Sequence, residues 1–185
     1  YRIAIEPYKE KDYGVNYSYM QLHDLYATVR DLYKGRDAVT RFEIYKLTFK
    51  EQSGLVMKNF SSNFLVNQQR MEFSDVRIST PYSRMAANNI LFSHADWKDW
   101  GKGGFISKVN MHIELTSAEV RTKDLSYFVP IFNGYDHEVK LSGRFNGTVN
   151  NLKGKNIVLS FQKKTYLEAD LHLTGLPDLR HTFIC

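Results

Sequence analysis

One cysteine in 185 residues, and that one the last, Cys185, excludes an internal disulfide and any cysteine-built metal cluster. No apolar run approaches about 18 residues, so no segment reads as a bilayer-spanning helix. Charge of one sign is also lacking: 25 Lys and Arg against 20 Asp and Glu leave a net +5. The charges are scattered rather than blocked, and no basic stretch alternates with aromatics, so no nucleic-acid partner is expected. Apolar residues at 43% and charged residues at 24% exclude a disordered, collagen-like or linker chain. There is no signal-peptide pattern, and the chain opens on Tyr1 rather than Met. It is expected to be an internal slice of a longer protein, with any targeting segment outside it.

What the chain does have is aromatic and β-branched residues, with 12 Tyr and 12 Phe, and these favour strands. Period-2 alternation is the clearest signal. Phe105, Ser107, Val109, Met111, Ile113 and Leu115 fall on one face, against Lys108, Asn110, His112, Glu114 and Thr116. Leu141, Gly143, Phe145, Gly147 and Val149 alternate likewise, as do Leu167, Ala169, Leu171 and Leu173. Such strands have one apolar and one wet face, as antiparallel sheets allow.

Two stretches alternate but change phase midway. Phe42 and Ile44 give way to Tyr45, Leu47 and Phe49; Met71 and Phe73 give way to Val76 and Ile78. A one-residue slip reverses every side chain, so an inserted bulge is the economical explanation, and long bulged strands imply a strongly curved sheet. Turn chemistry at Lys34–Asp37, Gln52–Gly54, Asn67–Gln69 and Asn150–Asn151 separates strand-length segments. These segments lie near 20–33, 38–50, 55–66, 70–80, 83–93, 105–120, 137–149, 155–162 and 165–175. Thr122 to Val129 reads as the single short helix, stopped by Pro130. His94 to Gly104, with Trp97 and Trp100, reads as a loop whose tryptophans cap the open end of a core.

A weak internal repeat runs through the chain. At a shift of 81, Phe60 and Phe64 fall on Leu141 and Phe145, and Val76 and Ile78 on Ile157 and Leu159. One residue further, Met85 and Ala87 fall on Leu167 and Ala169. The expected organisation is a single β-rich segment over 1–185, with repeat units of about 38–93 and 105–175.

The search for chemistry finds little. His112 with Glu114, and Asp136-His137-Glu138, are not ligand spacings, and there is no H-E-x-x-H. No G-x-S-x-G elbow is present, and Gly101-Lys102-Gly103-Gly104 precedes an expected strand rather than a helix. No nucleophile, base and orienting partner come together, so no enzyme, catalytic residue, metal or cofactor is expected. The apolar faces remain. They fit a plain sandwich or barrel core, or a sheet that curls without closing and keeps its concave face for lipid. On the second reading the lining is Val109, Met111, Ile113, Leu115, Leu141, Phe145, Val149, Leu167, Leu171 and Leu173. Small residues such as Gly143, Gly147 and Ala169 would then make room for the ligand.

Several local motifs resemble those of TamB (translocation and assembly module) proteins, in the Bacteroides-type branch of the AsmA-like superfamily. They are Leu47-Thr48-Phe49-Lys50-Glu51-Gln52-Ser53-Gly54, Thr80-Pro81-Tyr82-Ser83, the helix Asp124-Leu125-Ser126-Tyr127-Phe128-Val129-Pro130, Leu141-Ser142-Gly143-x-x-x-Gly147, and Leu173-Thr174-Gly175-Leu176-Pro177-Asp178-Leu179. The likeness runs from about Met20 to Ile184 and rests on the order and spacing of short motifs. It implies an all-β fold: a long curved antiparallel sheet forming an open, taco-like groove, with repeated strand meanders and one short helix. It further implies a periplasmic segment of an inner-membrane-anchored envelope protein, with phospholipid or acyl chains as cargo. The implied role is phospholipid transport between the inner and outer membranes and outer-membrane protein assembly beside a TamA-type barrel. An extracellular β-sandwich module for carbohydrate, stacking sugars on Trp97 and Trp100, is the alternative.

Overall fold

The structure is a computed structural model. It describes residues 2–4, 19–30, 39–51, 53–100, 104–128, 132–162, 165–176, 178 and 181–184. The expected turn at Lys34–Asp37, Gln52, the Gly101-Lys102-Gly103 run, Val129, Pro130, Pro177, Leu179 and Cys185 lie outside the described residues.

The chain is all-β, and its strands form one antiparallel sheet. In chain order they are β1 (Arg2–Ala4), β2 (Tyr19–Arg30), β3 (Thr40–Glu51), β4 (Val56–Val66), β5 (Arg70–Ser79), β6 (Arg84–Ser93), β7 (Asn110–Arg121), β8 (Glu138–Thr148), β9 (Asn151–Phe161), β10 (Thr165–Thr174) and β11 (Phe183–Ile184). Spatial order equals chain order from β1 to β11, so the sheet is a continuous meander that does not close into a barrel. With every strand in one sheet, no second sheet stands among the described residues to form the sandwich expected of a carbohydrate-binding module.

The long strands sit close to where alternation predicts them. Two strand starts differ: β9 begins at Asn151, inside the expected Asn150–Asn151 turn and ahead of the expected 155, and β7 begins late. The strand expected from Phe105 starts at Asn110, and Gly104–Lys108 form a short helix, α1, just after a 3-10 turn at Trp97–Trp100. Tertiary contacts override the local pattern here. The Phe105 ring packs on Trp100 at 5.4 Å and on Phe92 at 5.9 Å, and the Ile106 carbonyl accepts from Asn150 N–H at 3.1 Å. A Cβ at Gly104 would collide with the Asp99 backbone carbonyl, so only glycine lets the two helical turns abut. The helix expected at Thr122 is present as α2 (Thr122–Leu125), followed by a turn through Phe128.

Register slips fall near mid-strand across the sheet. They lie between Ile44 and Leu47, Ser61 and Asn63, Ala86 and Asn89, Leu115 and Ala118, Ser142 and Arg144, and Ala169 and Leu171. Asp75 and Asn156, both 81 residues apart and both in left-handed backbone (φ 53° and 51°), sit in this line. Asp and Asn tolerate that region better than other side chains. Polar side chains bridge the slips: Asn63 Nδ2 donates to Asp75 at 3.2 Å, Thr116 to Asn88 at 3.1 Å, and Asn156 N–H to Asp170 at 2.8 Å. Aligned bulges bend the long strands, β2 to β10, near mid-length, which creases the sheet across its strands.

The buried core lies along this crease, on the apolar face. Val76, Ala87, Leu115 and Ala118 form its centre, with Phe60, Phe73, Ile78, Met85, Ile90, Ile113, Val120, Leu141 and Phe145 packed against them. Burial concentrated at the fold line on one face means that the sheet bends toward that face, which is therefore the concave one.

Candidate functional site

The candidate site is the concave face, and the pairing register traces its lining as rows running from strand to strand. The floor row reads Ala27, Ile44, Ser62, Val76, Ala87, Leu115, Gly143, Ile157 and Ala169, with the steps Ser62 to Val76 and Gly143 to Ile157 crossing register slips. Small and large residues alternate along it. The even-numbered strands contribute Ala, Ser, Ala, Gly and Ala, and the odd-numbered strands contribute Ile, Val, Leu and Ile. Each branched side chain covers a small neighbour, which is how a tightly bent sheet fills its own interior. Val76 is 1% exposed and Ile157 2%. The one hydroxyl in the row, Ser62, is satisfied by donation to the Ser74 carbonyl at 2.9 Å, a backbone group freed by the adjacent bulge.

This corrects one expectation. Gly143 does not hold space open for a ligand, because a Cβ there would lie 2.5 Å from Ile157 Cδ1. Gly147 lies against the Asn151 backbone. The floor is closed by its own side chains, and any ligand meets the walls.

One wall carries Val29, Phe42, Phe64, Phe73, Ile90, Ile113, Phe145, Gly154 and Leu171, aligned through successive strand pairs. Its phenylalanines form a ladder: Phe42–Phe64 at 5.6 Å, Phe64–Phe73 at 4.7 Å, and Phe73–Phe92 at 6.5 Å edge-on. The other wall carries Leu25, Leu47, Phe60, Ile78, Met85, Ala118, Leu141, Leu159 and Leu167. Both walls stay apolar from β2 to β10. At the ends the lining is open to solvent, with Leu25 58%, Val29 52% and Leu167 41% exposed. The opposite, convex face is polar, with Asn63, Arg77, Asn88, Thr116, Glu119, Lys155 and Glu168 exposed.

The residues expected to line a groove distribute as follows. Met111, Ile113, Leu141, Phe145, Leu167, Leu171 and Leu173 share the concave face by register. Leu115 is on that face but in the filled floor, 9% exposed. Val109 is fully buried at 0% exposure, just ahead of β7 and beside α1, so it seals an end rather than lining a wall. Val149 sits half-buried in the turn after β8. The aromatic wall from Phe42 to Phe92 was not among the expected lining residues. The phase change read at Phe42–Phe49 and Met71–Ile78 is the signal in the sequence that could have found part of it.

Turns at each rim hold the walls. At the rim of the β5–β6 turn, buried Asp124 of α2 accepts from Thr80 Oγ1 at 2.6 Å and from the Ser83 hydroxyl. The Tyr127 hydroxyl comes within 3.5 Å of a Cβ built on Gly54, so the α2 segment reaches the β3–β4 turn along this rim. At the other rim, His94 N–H donates to the Gln69 carbonyl at 2.9 Å and Gly175 N–H to the Asn150 carbonyl at 3.1 Å. There Phe92, Trp97, Trp100 and Phe105 form one aromatic cluster. Trp97 and Trp100 stack at 5.9 Å, and Trp97 is 44% exposed.

The polar groups weighed as chemistry point to separate partners. Asp136 reaches Arg121 at 3.5 Å, whereas His137 Nδ1 meets the Gln162 amide. His112 lies between Asn146 and Glu114, 3.4 Å from the latter, on the convex face. No group of three or more His, Cys, Asp or Glu among the described residues could hold a metal ion, and no described helix is long and apolar enough to cross a membrane. No family model, no curated protein and no solved structure matches the chain.

Proposed function

We propose that this chain is a non-enzymatic groove segment of a TamB/AsmA-like envelope protein. On this reading it lies in the periplasm, as part of a protein anchored in the inner membrane. It shields phospholipid acyl chains in transit between the inner and outer membranes and supports outer-membrane protein assembly beside a TamA-type barrel. The observation that carries the reading is the pair of apolar walls, unbroken from β2 to β10 and uncovered by any second sheet among the described residues. Burying a methylene of an acyl chain contributes about 0.8 kcal/mol. A lining that repeats every strand, about 4.8 Å, lets a chain slide without losing that contribution at each step. The filled floor makes the lining a smooth track rather than a closed pocket, and this suits a moving ligand of variable length.

The test is lipid capture with face resolution. Photo-crosslinking side chains placed at Phe64 and Phe145 should trap acyl lipid from cells, whereas the same groups at Asn63 and Arg144, one residue away and on the convex face, should not. Native mass spectrometry of the purified protein should show co-purifying phospholipid. Absence of lipid in both measurements would end the conduit reading for this segment.

A further inference from the structure

At the β6–β7 rim the structure leaves polar groups buried without partners. His94 is 7% exposed, and neither ring nitrogen has a hydrogen-bond partner among the described residues; the indole Nε1 of Trp100 is buried and equally unpaired among them. The two rings lie 5.7 Å apart edge-on, and the half-exposed Trp97 covers His94 at 4.3 Å. The backbone fixes the ring's place through His94 N–H donating to the Gln69 carbonyl. Buried polar side chains in native proteins are almost always paired, so neighbouring unpaired groups ask for a ligand. The indole can only donate, and a neutral imidazole brings one donor and one acceptor. The two donors are complemented by an oxygen with two lone pairs, and the acceptor nitrogen is left for a water or a hydroxyl of the same ligand.

The surroundings narrow the choice. Trp100 touches Phe92 at 5.6 Å, and Phe92 pairs with Met111 on the concave face, so the two rings lie at the end of the apolar lining. Among the described residues, Lys108 already pairs with Asp99 at 3.4 Å and Lys98 is exposed, so neither is a buried cation beside the two rings. A phosphate would have to shed its water in this buried setting, whereas a neutral carbonyl carries no such cost. We infer that His94 and Trp100 form a recognition site for the ester carbonyl of an acyl glycerolipid whose hydrocarbon lies along Phe92 and Met111. The inference rests on the lipid reading above and adds to it a polar stop at one rim. Trp97 is the side chain that must swing to admit the ester.

Two matched probes isolate the carbonyl: monolauroyl glycerol and 1-O-dodecyl glycerol, an ester and an ether with the same head and chain length. Each is titrated calorimetrically into the protein below its aggregation concentration. The ester should bind about five- to tenfold tighter, the worth of one well-made hydrogen bond. Trp100→Phe keeps a ring against Phe92 and Phe105 while removing the N–H, and His94→Phe removes the imidazole. Either should lower the ester-to-ether ratio and the double variant should bring it near one, with the ether affinity unchanged, and tryptophan emission in the variants reports that the cluster remains folded. Equal affinities in the unmodified protein would overturn the ester site, with a buried water as its occupant, yet leave the groove reading standing. An ester preference that survives both substitutions would also overturn it. Binding of neither probe would remove the ester site and the groove reading together.

Discussion

The carboxylate of Asp124 accepts a hydrogen bond from Thr80 Oγ1 at 2.6 Å, joining positions 44 residues apart. Ser83 donates to the same oxygen, and its own hydroxyl oxygen accepts from Arg121 N–H at 3.0 Å. One buried side chain thus ties the β5–β6 turn to the start of α2 and fixes the height of one wall. Asp124→Ala should lower unfolding stability by about 2–3 kcal/mol, because two hydroxyls lose their acceptor in a buried setting. Asp124→Asn keeps an oxygen in place and should cost about half as much. Urea denaturation of the three proteins checks this, and an alanine variant within about 0.5 kcal/mol of the parent would show that the rim is held by other contacts.

The floor makes a contrasting prediction at two glycines. Gly143 has φ +137° and faces Ile157 Cδ1 and the Asn156 carbonyl at 2.5 and 2.9 Å from a built Cβ; Gly134 has φ +81° with nothing within 4 Å. Gly143→Ala meets both strain and overpacking and should cost about 3–5 kcal/mol. Gly134→Ala meets strain alone and should cost about 1 kcal/mol. Ile157→Ala, which empties the other half of the same contact, should cost about 2–4 kcal/mol. Thermal unfolding of the three variants ranks them, and equal losses at the two glycines would refute the filled floor.

Much of this architecture was legible because a creased sheet writes itself in period two. Met111, Ile113 and Leu115 name a face without help from other strands, and the phase change between Ile44 and Leu47 or Phe73 and Val76 names a bulge. The shift of 81 pairs positions that occupy the same row: Phe60 with Leu141, Phe64 with Phe145, Ile78 with Leu159. What could not be read depends on contacts between distant residues. Phe105 alternates like a strand residue, yet its ring is claimed by Trp100 and Phe92, so α1 forms instead. That Gly143 is small to admit Ile157 rather than a ligand becomes visible only when β8 and β9 are side by side. Strands of two or three residues, such as Arg2–Ala4 and Phe183–Ile184, carry too few positions for alternation to register.

The convex face carries a pH prediction. Lys140 Nζ donates to Glu119 Oε1 at 2.7 Å, and this hydrogen bond and charge hold the Glu119 carboxyl below its usual value of 4.5 while raising Lys140 above 10.5. A carboxyl whose folded pKa is depressed contributes stability above its unfolded pKa and loses it as pH falls through the folded one. The loss therefore begins near 4.5 and runs to lower pH. Both side chains are about half exposed, so the effect on stability at neutral pH is small and screened by salt. Carbon-detected NMR titration should place the Glu119 midpoint below 4.5 and return it to the ordinary range in Lys140→Met. An unchanged midpoint would mean that the pair is not formed in solution.

The sharpest test of the lining uses the edge, where stability and capture separate. Leu167 lies on the second wall opposite Leu159 and is 41% exposed, whereas its neighbour Glu168 faces the convex side and is bonded by the Tyr166 hydroxyl. An aspartate in the middle of a wall, as in Phe145→Asp, would disturb the packed core and confuse unfolding with loss of binding. At Leu167 little apolar area is buried, so Leu167→Asp should change stability by less than about 1 kcal/mol. It should nevertheless lower acyl-lipid capture several-fold, because a carboxylate on the track must be desolvated each time a chain passes. Glu168→Gln should leave capture unchanged. Crosslinking yield at Phe64 and lipid retained on purification give the readout, and equal capture by the two variants would show that the concave face at this end carries no lipid.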